Sequence, residues 1–100
     1  MRLRPHQRVP LEVARSRALA CLAEEAAREY PRLLSAAWVA MAIWPDNQMR
    51  AQGAGAAASR ILKTLKVDGL VVWEVVRPGE IAESWGYCIT RAGAAKSREG

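Results

Sequence analysis

Apolar residues recur at three- and four-residue steps through Leu11, Ala14, Ala18, Cys21 or Leu22, and Ala26, which predicts an amphipathic helix over residues 10–30. Pro10 suits its first turn and Pro31 is expected to stop it. "RLLSAAWVAMAIWPD" predicts a second, shorter helix with Ser35 as its cap, Val39, Ala42 and Ile43 facing inward, and a turn at Pro45, Asp46 and Asn47. A third helix is expected to run from Met49 or Gln52 to Val67, where Asp68 and Gly69 end it. Beyond Gly69 the period changes. "LVVWEVV" and "SWGYCIT" are rich in β-branched and aromatic residues, and Pro78 and Gly79 lie between them, so they predict an antiparallel hairpin. Thr90 and "RAGAAK" then open a short closing helix.

The expected organisation is a basic flexible arm over residues 1–9, a single domain over residues 10–96, and a frayed tail over residues 97–100. One hundred residues allow one small core. With much of the apolar content in alanine and no phenylalanine, that core must come from Leu, Ile, Val and the four tryptophans, and all four are expected to pack inside. The chain carries a formal net charge of +5, held in two blocks. Arg2, Arg4, Arg8, Arg15 and Arg17 face only Glu12 in the first block, and Arg50, Arg60, Lys63 and Lys66 form the second with no acid among them. Such blocks suit a polyanionic partner.

Several chemistries have no foothold. Cys21 and Cys88 belong to no C-x-x-C pair, and His6 is the only imidazole, so no metal or cofactor is expected. Ser and Cys lack a base at motif spacing, and "GAG" lacks the Lys-Ser/Thr ending of a phosphate loop, so an enzyme is not expected. Charges interrupt any signal-peptide core and no long apolar run is present, which predicts a soluble cytoplasmic protein without a membrane partner.

The third helix carries the functional signal. At about 100° per residue, Ala54, Ala57, Ala58, Ile61, Leu62 and Leu65 gather on one side. Gln52, Ala56, Ser59, Arg60, Lys63 and Lys66 take the other. A charged stripe is the ordinary solvated face of a surface helix. This one is acid-free and interleaved with small residues, which lets a helix approach a duplex while Arg and Lys reach phosphates or guanine edges.

"SRILKTLKVDGLVVW", followed across a hairpin tip by "WGYCITRAG", resembles the recognition helix and wing of winged helix-turn-helix DNA-binding domains. It is similar in particular to small bacterial regulators of the multiple-antibiotic-resistance and arsenic-repressor kinds, over residues 35–96. The resemblance implies a mainly α fold with a small antiparallel hairpin, a three-helix core plus wing, and sequence-specific double-stranded DNA binding by a bacterial or phage transcription regulator or mobile-element factor. It implies base reading by Gln52, Ser59 and Arg60, phosphate neutralisation by Arg50, Arg60, Lys63 and Lys66, a wing contact from Arg77, and added affinity from Arg2, Arg4 and Arg8. Residues 44–52 are longer than the usual turn of the family.

The hairpin points elsewhere. Glu74, Glu80 and Glu83 oppose a single Arg77 and would repel a phosphate backbone. The alternative is therefore an interaction module that docks a protein through its wing and tryptophans, for which an exposed apolar patch around Trp73 and Trp85 would be the sign. A third reading stacks exposed tryptophans on unpaired bases. A homodimer through the alanine-rich first helix is compatible with all three.

Overall fold

A computed structural model describes residues 9–45, 51–76 and 84–99. Within them the chain is mainly helical with one two-stranded antiparallel hairpin. The order is α1 (Leu11–Ala26), α2 (Ala36–Ile43), α3 (Ala51–Val67), β1 (Val71–Val76), β2 (Ser84–Ile89) and α4 (Arg91–Glu99). Residues of the expected arm and tail ends, 1–8 and 100, lie outside the described set.

One hydrophobic cluster joins these elements. Ala14, Ala18, Leu19 and Leu22 of α1 meet Val39, Ala40 and Ile43 of α2, Ala58, Leu62 and Leu65 of α3, and Val71 and Tyr87 of the hairpin. Ala14, Ala18 and Leu22 lie inward as the spacing predicts, but Leu11 and Ala26 are exposed and Leu19 joins the cluster instead. Likewise Ala40 is buried in α2 where Ala42 is only half-buried.

α1 also stops before Pro31 is reached, and the reason is a buried carboxylate. Glu25 accepts from the backbone N–H of Arg32 at 3.0 Å and from the Arg28 guanidinium at 3.3 Å, with the Arg32 guanidinium 3.5 Å away. The chain is thereby folded back over the end of α1, a partner seven residues away that local periodicity does not register. Burial alone would push the Glu25 carboxyl up, but the Arg32 N–H and the two guanidiniums outweigh it and hold the group below the usual carboxylate range.

α2 starts as its sequence predicts, with Ser35 Oγ accepting from Trp38 N–H at 3.3 Å. At its far end Arg17 of α1 donates to the Ile43 carbonyl at 2.7 Å. Arg15 pairs with Asp68 at the end of α3. Two arginines of the first basic block thus brace helices.

α3 begins at Ala51 and passes through Gly53 and Gly55. It ends in a Schellman turn. Leu70 N–H donates to Leu65 C=O at 2.9 Å, Gly69 N–H to Lys66 C=O at 3.0 Å, and Gly69 takes φ +76°. β1 follows at once.

The hairpin pairs Val71 with Ile89, Trp73 with Tyr87 and Val75 with Trp85. Leu34, in the link between α1 and α2, lies against the other side of β2: Tyr87 N–H donates to Leu34 C=O at 2.7 Å, and Leu34 N–H to Tyr87 C=O at 3.1 Å. A Cβ on Gly86, at φ +148°, would stand 2.7 Å from the Leu34 oxygen, so only glycine permits this approach. Beyond β2, Thr90 Oγ1 accepts from Gly93 N–H at 3.0 Å and opens α4.

Three glycines should respond differently to alanine in urea unfolding. Gly86→Ala should cost more than about 2 kcal/mol, because it meets both a left-handed φ and a backbone wall. Gly69→Ala has open space and should cost about 1 kcal/mol for its φ alone. Gly55→Ala should stabilise by up to about 1 kcal/mol, since its Cβ would sit in ordinary contact, 3.7 Å from Ala37.

Glu25 gives a pH signature. Its pKa is depressed on folding, so its contribution is complete above the unfolded value of about 4.3 and is lost as pH falls through the lower folded value. Glu25→Gln should cost about 1–3 kcal/mol at neutral pH and flatten the acid limb of a stability-against-pH curve.

Candidate nucleic-acid interface

α3 presents the face that its periodicity predicts. Ala54, Ala58, Ile61, Leu62 and Leu65 are buried, and Ala57 packs at the edge of the cluster. Opposite them Ala56, Arg60, Lys63 and Val67 form an exposed ridge, flanked by half-buried Ser59 and exposed Lys66. Seventeen residues give this helix a length of about 25 Å. Thr64 keeps its hydroxyl on the helix, donating to Ile61 C=O at 2.6 Å, so it adds no polar group to the ridge.

Among the described residues no acid lies within ion-pair range of Arg60, Lys63 or Lys66. Lys66 also sits in the last turn, where the helix dipole favours a cation. The three cations are brought together by one helix, whose other side is pinned by α2 and α1.

The remaining predicted contacts fare differently. Gln52 lies in the first turn of α3, in register with Ala56, Ser59 and Lys63. Arg2, Arg4, Arg8, Arg50 and Arg77 lie outside the described residues.

The tryptophans overturn an expectation. Only Trp44 is buried; Trp38, Trp73 and Trp85 are 48%, 41% and 52% exposed. The strands outrun the helices beneath them. Val71 and Tyr87 are covered by the cluster, whereas Trp73, on the same rung as Tyr87 but on the outer strand, and Trp85, two residues further out, are not. There Trp73 contacts Trp85, with ring centroids 5.6 Å apart, and meets Tyr87 edge-on at 4.9 Å. Trp38 of α2 is roofed by the Arg32 guanidinium, 5.2 Å from its ring centre. The missed signal was position in the sheet: β2 lies against Leu34 and the cluster, while β1 is the outer strand and the far rung of Val75 and Trp85 lies beyond the core.

The thiols are not activated. Burial, followed by Glu24 and Glu25, pushes Cys21 up, and burial together with Glu74, which also takes a hydrogen bond from the thiol, pushes Cys88 up. Among the described residues no group of three His, Cys, Asp or Glu is placed to hold a metal ion, and no helix is long and apolar enough to cross a membrane. A groove of about 510 Å³ between α1 and α4 mixes Leu11, Leu19 and Leu70 with Glu12, Arg15 and Lys96. No known protein family, curated protein or solved structure matches the chain.

Proposed function

We propose that the chain is a winged helix-turn-helix domain that binds double-stranded DNA through α3, in the manner of a small transcription regulator. The carrying observation is the exposed Arg60–Lys63–Lys66 face, with no acid in ion-pair range among the described residues, on a helix whose reverse side packs into the core. The order of three helices and a hairpin, with α3 running through a tight turn into β1, supports that reading.

On this reading Lys63 and Lys66 neutralise phosphates, and Arg60 together with Gln52 and Ser59 meets base edges. Ala56 lets the helix backbone approach the groove floor. Glu74 keeps the hairpin away from the backbone of the duplex, so the helix supplies most of the contact.

Lys63→Ala should weaken binding to every duplex several-fold and reduce the slope of log affinity against log salt by about one. Arg60→Ala should cost about 1–3 kcal/mol on the preferred sequence and much less on others. Gel-shift titrations at two salt concentrations read both effects. Duplex affinity that does not change with salt would sink the proposal.

A further inference from the structure

Trp73, Val75 and Trp85 have no task in duplex binding by α3, and the backbone beside them is as unused as the side chains. Because Tyr87 turns its N–H and C=O toward Leu34, its neighbours Gly86 and Cys88 must turn theirs toward β1. Glu74 and Val72, which pair with them, therefore face β2. Trp73 and Val75 consequently aim their N–H and C=O out of the open edge of β1, and no backbone hydrogen bond among the described residues uses those groups. Edges that are not meant to pair are normally blunted by lysine, proline or a bulge. Val71–Val76 has no lysine, proline or bulge, and the one charge it carries is Glu74.

We infer that the edge of β1 docks an extended, cationic segment of another protein, which adds to the sheet as a strand. Side chains opposite one another in a ladder share a face. The edge presents Trp73, Glu74, Val75, that is, apolar, acidic, apolar, with Trp85 widening the apolar side. Its complement is apolar, Lys or Arg, apolar. Nucleic acid is disfavoured because the sequence between residues 70 and 90 carries three glutamates and one arginine. A second copy is disfavoured because it would bring two Glu74 carboxylates into one short ladder and join two chains of net charge +5. The inference stands on the hairpin alone and is independent of what α3 binds.

The test titrates the full chain with a capped peptide of alternating lysine and valine, KVKVKVK. Binding should shift the tryptophan emission to the blue and slow amide exchange at Trp73 and Val75. Methylating the valine nitrogens, or replacing lysine by glutamate, should each lower affinity at least tenfold. Val75→Pro removes an edge donor without touching the ladder to β2, and should lower affinity at least tenfold with helical circular dichroism unchanged. Should that variant fail to fold, Glu74→Lys carries the test, because it should transfer the preference to the glutamate peptide. No binding at millimolar KVKVKVK, or equal binding by wild type and Val75→Pro, would overturn the inference. So would peptide-free, concentration-dependent protection of Trp73 and Val75, which means a second copy, or oligothymidylate quenching that Trp73→Ala abolishes, which means a base-stacking site.

Discussion

Two hydrogen bonds between Leu34 and Tyr87 set the polarity of the whole hairpin. Once Tyr87 faces Leu34, alternation leaves no freedom in how the remaining peptides of β2 and β1 are turned. The same pair fixes the link between α1 and α2 against the sheet, so the start of α2, one residue later at the Ser35 cap, is positioned by the hairpin. Gly86 makes the approach sterically allowed and Glu25 holds the preceding residues in place. Helix packing and strand polarity are thus two results of one contact.

α3 has opposite demands on its two sides. The buried side mixes alanines with Ile61, Leu62 and Leu65, which lets neighbouring helices lie close at its N-terminal half and provides bulk at its C-terminal half. On its exposed side Ala56 and half-buried Ser59 precede Arg60. Ala56 brings no side-chain entropy to lose on contact, so the ridge offers backbone shape there and charge from Arg60 onward.

The sequence made α3, the Ser35 cap, the Gly69 stop and both strands legible, because each is written in local periodicity or in one punctuating residue. What it concealed was set by distant partners. The end of α1 depends on Glu25 meeting Arg32, the bracing roles of Arg15 and Arg17 depend on Asp68 and Ile43, and none of these is encoded by spacing. The exposure of Trp73 and Trp85 was misjudged for a related reason. Alternation says which side chains share a sheet face, but only the extent of the core says how far along and across the sheet that face is covered. Of the candidate site, the cationic ridge was readable and the pairing state of the β1 edge was not, since the latter follows from Leu34, which lies before α2 and α3 in the chain and touches only the other strand.

The turn at Gly69 joins α3 to β1 through two hydrogen bonds and leaves no slack between them. Leu70 is held a second time, by Thr90 N–H at 3.0 Å. Helix and hairpin therefore behave as the two arms of a set square. A body seated on one arm has its distance and bearing to a body on the other dictated by a corner of three residues, and a change of angle at that corner would be read out at both ends.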